Sequence, residues 1–259
     1  MLNQVKRYLA HPLTHGLSLD DPKTTVLRRQ IIRQKHFLYQ IYLEWYGLIK
    51  NTLPATGQVL EIGSGAGFIK SLMPQVITSE MFEISDVDLV TDACNLPIPN
   101  ASLDAIVMTD VLHHIPNVSQ FFNEAIRCLR PNGKIVMIEP WHTPWSRFIY
   151  TYLHSEPFEP DAGWEIPSAG PLSGANGALP WILFRRDKAL FESRYPNLHI
   201  KSITPLMPLS YMLSGGVSLR GSLPGWLYPV VRLFEKNSPE KKWAMFALIE
   251  LEFTKSSGV

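Results

Sequence analysis

Residues 59–68 read VLEIGSGAGF, and no other stretch limits the fold of this chain so tightly. Val59-Leu60-Glu61-Ile62 is a short apolar run of the kind a buried parallel strand presents. Gly63, Gly65 and Gly67 follow at two-residue spacing, with Ser64 and Ala66 between them and Phe68 after. A strand that ends in closely spaced small residues and turns into a helix brings backbone N–H groups up to a ligand with no Cβ in the way. The spacing is G-x-G-x-G rather than the G-x-G-x-x-G of dinucleotide sites, and the acid Glu61 precedes the first glycine. Both details point to a nucleoside cofactor that lacks a pyrophosphate.

Downstream, strands and turns alternate. Residues 68–73 read as a short helix, and 76–80 as a second strand ending in Glu80, with Met81 next. Glu80 lies 17 residues beyond Gly63, close to the separation at which a carboxylate meets a ribose in nucleotide-binding sheets. Glu83 is the nearby rival. Only about seven residues lead to a third strand at 88–91, too few for the usual crossover helix, so that side of the sheet should be bare. The turn Asp92-Ala93-Cys94-Asn95-Leu96-Pro97 follows, then a fourth strand over 104–110 and Val111-Leu112-His113-His114-Ile115. Val118, Phe121, Phe122, Ala125 and Leu129 form a helical stripe, stopped by Pro131-Asn132-Gly133, and 134–139 is a fifth strand.

In this order, the glycine turn, DACNLP, SLDAIVMTDVLHHIP and CLRPNGKIVMIEP resemble the motifs of class I S-adenosylmethionine (SAM)-dependent methyltransferases of the small-molecule type. The resemblance covers residues 59–140. It implies an α/β, Rossmann-like sheet of seven mostly parallel strands with an antiparallel last strand. It also implies SAM as cofactor, S-adenosylhomocysteine as product and a small-molecule acceptor methylated at O, N or C. By correspondence, cofactor-binding roles fall on Glu61, Gly63, Ser64, Gly65, Gly67, Phe68, Glu80, Met81, Asp92, Ala93, Thr109 and Asp110. Asp92 and Ala93 would meet the adenine, and Thr109 and Asp110 the methionine part.

The flanks are less informative. Residues 1–55 read as a helical arm in which Asp21-Pro22 starts the helix, and Leu27 to Ile49 supply one apolar stripe over about seven turns, with room for one break. Arg28, Arg29, Arg33, Lys35 and His36 read as its solvated face. Tyr42, Trp45 and Tyr46 are candidate cofactor walls, with core packing the plainer reading. Residues 56–259 form the cofactor domain. Within it, 141–186 shows little periodicity and is rich in Pro and aromatic residues, which suits a substrate lid at the carboxyl end of a strand. A short helix is expected over 187–195, a sixth strand over 199–204, loop over 206–225 and a last strand over 245–253. The apolar run 226–234 reads as core, with peripheral membrane contact as the minor alternative.

In this chemistry the sulfonium makes the methyl electrophilic, so the protein must align the acceptor, exclude water and take up a proton. His113, His114 and His142 are the base candidates, because imidazole titrates near working pH. A metal site of His113, His114 and His142 is only the minor alternative, because no helical His spacing or ligand motif supports it, and no metal is expected. A net charge of +1 lacks the footprint of a nucleic-acid binder, and two cysteines are too few for a disulfide framework. A cytoplasmic enzyme is the expectation.

Overall fold

The computed structural model describes residues 10–13, 16–154, 156–166, 170, 173–221, 223–236 and 240–255. Seven strands form one sheet: β1 (Val59–Ile62), β2 (Ile77–Glu80), β3 (Leu89–Val90), β4 (Leu103–Thr109), β5 (Leu129–Pro140), β6 (Leu198–Leu206) and β7 (Phe246–Phe253). Their order is β3-β2-β1-β4-β5-β7-β6, with β7 antiparallel to both neighbours and the rest of the ladder parallel. This is the doubly wound sheet expected from the sequence.

Helices cover both faces. The arm is α1 (Pro22–Gln34) and α2 (His36–Thr52), broken at Lys35. Asp21 caps α1 by accepting the Lys23 N–H at 2.9 Å, and Pro22 sits in the first turn, where no intrahelical partner is lost. On α2, Phe37, Leu38, Ile41, Trp45 and Ile49 bury one stripe against Val59, Val107, Val136 and Ile138. The opposite face packs Leu60, Ile106, Met108 and Met137 under α3 (Val118–Cys128). There they also meet α5 (Leu179–Trp181), its π-helical continuation Ile182–Arg186, and α6 (Lys188–Arg194).

Several local expectations change. The helix expected after the glycine turn shrinks to one 3₁₀ turn, Ile69–Ser71. The lid is not structureless: α4 (Pro144–Tyr152) starts in a capping box in which the Thr143 and Ser146 side chains each bond the other's backbone N–H. Residues 206–225 contain α7 (Ser210–Ser214).

The connection from β2 to β3 has no helix, and α1 covers it instead. Arg29 donates to the carbonyl of Ser85 at 3.2 Å and pairs with Asp86. Arg29 and Lys35 are therefore not on a solvated face. The Lys35 ammonium is buried and donates to three carbonyls, Ser214, Gly216 and Leu219, at 3.1, 2.8 and 2.6 Å. Burial lowers its pKa to about 8, which still leaves it charged at neutral pH.

The run 226–234 is also inverted relative to a core segment. After a 3₁₀ turn (Gly225–Leu227), α8 (Tyr228–Lys236) buries Arg232 and Glu235 while Leu233 and Phe234 face outward. The inward face is polar because Arg232 bridges Glu44 of α2 and Glu235, and Glu235 accepts both the Leu209 and the Ser210 N–H at 2.6 Å. A buried cation with two carboxylates anchors the helix where apolar core packing was expected. A final short helix, α9 (Glu240–Trp243), precedes β7.

Candidate active site

The carboxyl ends of β1, β2 and β4 open into one cavity of about 710 Å³, the place where parallel sheets bind ligands. At its floor, Gly63 ends β1 with φ +69°, and a Cβ there would press on Val111 Cγ2 at 2.5 Å. Glu80 ends β2. Its Oε2 accepts the Gly65 N–H and its Oε1 the Met81 N–H, both at 2.9 Å, so its carboxylate is held at the cavity wall. A Cβ at Gly65 would meet both Glu80 Oε2 and Thr25 Cγ2. The α1 arm closes the turn from the other side, where Arg29 donates two bonds to the Gly65 carbonyl at 3.0 and 2.8 Å.

Of the sequence-derived cofactor residues, Glu61, Gly63, Gly67, Glu80, Met81, Asp92, Ala93, Thr109 and Asp110 line this cavity. Ser64, Gly65 and Phe68 lie behind its wall. Ser64 ties the two strand ends by donating its N–H to the Ser79 carbonyl at 2.9 Å. Phe68 stacks on Tyr39 of α2 at 4.6 Å between ring centres, and its N–H bonds Tyr46 Oη. Gly67 also makes room for that hydroxyl, which a Cβ would strike. Asp92 accepts the Cys94 N–H at 2.8 Å, fixing the turn at the cavity edge.

Two buried polar atoms at the floor have no hydrogen-bond partner, Glu61 Oε2 and Thr109 Oγ1. Burial, then the charge of Glu80, pushes the Glu61 pKa up to about 7. Asp110 follows β4 in the left-handed region, φ 63°, an uncommon conformation for a residue with a side chain. Burial in the cavity pushes its pKa up to about 7 as well, against the pull of His113. Unpaired acceptors and protonatable acids at one spot suit a cationic amino-acid group such as the methionine part of SAM carries.

The histidines separate into two environments. His113 is wholly buried, its Nδ1 2.8 Å from Glu139 Oε2, while Glu139 Oε1 accepts the N–H groups of Val111 and Leu112. Burial opposes its charge, but Glu139 and Glu156 outweigh burial and raise its pKa. His114 lines the cavity. Its Nδ1 lies 3.1 Å from the Gly174 carbonyl, which can only accept, so the proton is assigned to Nδ1 and the Nε2 lone pair is free. Burial and the neighbouring His113 lower its pKa to about 4, leaving it neutral. His142 is not brought to the cavity wall; it packs between Phe158 and Trp181, with ring centres at 5.8 and 4.5 Å.

Other cavity residues were not assigned to the site from the sequence, and Arg28 was read as solvated. Glu156 comes from the lid and faces both His113 and His114, which together with His154 hold its carboxyl well below the ordinary range despite burial. Thr25 and Arg28 reach in from α1, and Val217 and Ser218 from the segment after α7. Of the three arm aromatics, Tyr42 and Tyr46 line the cavity, and Trp45 packs in the core. No short motif announces these side chains, because they come from separate elements that meet only in three dimensions.

A sheet of this order, with a glycine turn and the acid Glu80 at its carboxyl edge, has the architecture of α/β nucleotide-binding folds. Residues 60–137 match the family described as a methyltransferase domain. The matched segment runs from β1 into β5 and includes the glycine turn and Glu80. A demethylmenaquinone methyltransferase of Tropheryma whipplei is 27% identical over 117 residues, 37% of this chain and 49% of that protein. The chain thus spans about half the length of the curated relatives it matches.

Among solved structures, a SAM-dependent methyltransferase of Thermotoga maritima, described as a possible histamine N-methyltransferase, is similar in fold. It superposes at TM-score 0.53 and 14% identity, over 88% of this chain and 99% of that one. The geranyl diphosphate C-methyltransferase of Streptomyces coelicolor superposes at 0.52 and 12% identity, over 98% of each.

Proposed function

We propose that this protein transfers the methyl group of SAM to a small, partly apolar acceptor, releasing S-adenosylhomocysteine. The cavity carries this reading. At about 710 Å³ it has the size of a small-molecule site, and it joins the glycine turn to an aromatic half lined by Tyr150, Phe158, Tyr211 and Phe246. The relatives named above are named for small molecules, which supports the same acceptor class.

In this reading Glu80 accepts from the ribose hydroxyls, Asp92 and Ala93 face the adenine, and Glu61, Gly63, Thr109 and Asp110 hold the methionine part. SAM supplies the electrophilic methyl carbon. The arm and the segment after α7 exclude water, and the lid sets the acceptor's approach. Acceptor activation falls to the His113–His114–Glu156 group, where His114 and Glu156 reach the cavity. His142 is left with a packing role. The domain division, with 1–55 as an arm and 141–186 as a lid, is retained in this proposal. So is a cytoplasmic setting; among the described residues no helix is long and apolar enough to cross a membrane.

Calorimetric titration with SAM and separately with NADH tests the cofactor. SAM alone should bind, and Glu80→Gln should weaken it about tenfold or more. Binding of NADH alone would overturn the reading. Labelled SAM then reports turnover on candidate acceptors, and SAM binding with no transfer to any of them would favour a binding protein of the same fold.

A further inference from the structure

One ligand atom from each of His113, His114 and Glu156 lies within 4.8 Å of the other two, beside the cavity. His113 Nε2 is 3.5 Å from Glu156 Oε2, and His114 Nε2 is 4.0 Å from the same oxygen. Two ligand atoms on a tetrahedral ion, each about 2.1 Å from it, stand about 3.4 Å apart. The first pair already has that separation. The second needs a shift of roughly half an ångström, which the partly exposed Glu156 side chain can make.

The surroundings are those of a ligand set. Each imidazole presents its Nδ1 to an outer acceptor, His113 to Glu139 and His114 to the Gly174 carbonyl. Such outer partners fix the tautomer and aim the other nitrogen inward. His113 is fully buried, and its Nε2 faces the Glu156 carboxylate at 3.5 Å, an ion-pair separation longer than an ordinary hydrogen bond. Asp110 Oδ1, 4.0 Å from His113 Nε2, borders the same spot on the cavity side.

We propose that His113, His114 and Glu156 bind one first-row divalent transition ion of the Zn²⁺ class, with its open position facing the cavity. Two imidazoles and one carboxylate disfavour Mg²⁺ and Ca²⁺, which prefer all-oxygen shells. Three protein ligands with an open position mark an ion that works on a substrate rather than one that staples a fold. Binding displaces the proton on His113 Nε2 to solvent.

The ion's place assigns the acceptor class, and this part rests on the methyltransferase reading. The acceptor is an oxygen nucleophile, a hydroxyl or enol. Coordination lowers its O–H pKa, the proton leaves to water, and an oxygen electron pair forms the new O–CH₃ bond. The S–CH₃ bond breaks as its electron pair passes to sulfur.

Tag-free protein of residues 1–259 is titrated with Zn²⁺ alone, and separately with Co²⁺, whose visible absorption reports nitrogen and oxygen ligands in four- or five-coordination. One equivalent of each should bind, with that absorption for Co²⁺. Glu156→Gln and His114→Gln should each weaken Zn²⁺ at least tenfold, with circular dichroism and SAM affinity unchanged. Absence of Zn²⁺ binding by the folded parent, or equal affinity in parent and both variants, overturns the metal site. SAM affinity is read on the same samples, so loss of the cofactor reading would show separately. Zn²⁺ binding with methyl transfer only to nitrogen or carbon would overturn the acceptor class.

Discussion

The carboxylate of Glu80, at the end of β2, accepts the backbone N–H of Gly65 at 2.9 Å, and the space a Cβ would fill at Gly65 is taken by that same carboxylate. The glycine thus positions the acid, and the acid faces the cavity. Gly65→Ala should displace Glu80 and weaken SAM about tenfold or more, measured by calorimetry. Gly63→Ala should do so by another route, a strained φ of +69° and a collision with Val111.

Arg29 lies across this turn with only 12% of its side chain exposed. Arg29→Ala should leave the sheet folded by circular dichroism while weakening SAM roughly tenfold, or about 1.4 kcal/mol, because the turn loses its outer clamp.

Glu61 supplies a pH dependence. Burial raises its pKa from the ordinary 4.5 to about 7. Between those values the folded state keeps a proton that the unfolded chain has released, so stability falls as pH rises through the window. Glu61→Gln removes this slope. The gain in melting temperature of the variant over its parent should therefore grow from about pH 5 to about pH 8, while its SAM affinity falls.

Lys35 satisfies three carbonyls of the segment that roofs the cavity. Lys35→Met would leave them buried and unpaired. Denaturant unfolding should show a loss of about 2–4 kcal/mol.

His142 touches Phe158 and Trp181 and not the cavity. His142→Ala should lower thermal stability by about 1 kcal/mol through lost packing, with turnover on a working acceptor close to the parent's.

The residues legible in the sequence are those whose roles follow from local backbone geometry. Gly63 needs a positive φ, β1 is an unbroken apolar run, and Glu80 stands at the usual separation from the turn. Glu156 was not legible. Its role depends on the path of the lid, which brings it to His113 and His114, some 40 positions away in the chain. The surroundings of His142 were hidden for the same reason: its sequence position beside the fifth strand did not reveal that Phe158 and Trp181 enclose it.

By itself the sequence determined the sheet and its glycine turn, because periodicity and turn chemistry act over a few residues. Only the tertiary structure decided where the charges went. The sequence put Arg29 and Lys35 on a solvated helix face and Arg232 in an apolar run, yet each is drawn inward by carbonyls or carboxylates on distant segments. Such pairing compensates the desolvation of a cation only when both partners are already in place. The same holds for the His113–His114–Glu156 group, whose geometry exists only once β4, β5 and the lid have packed together.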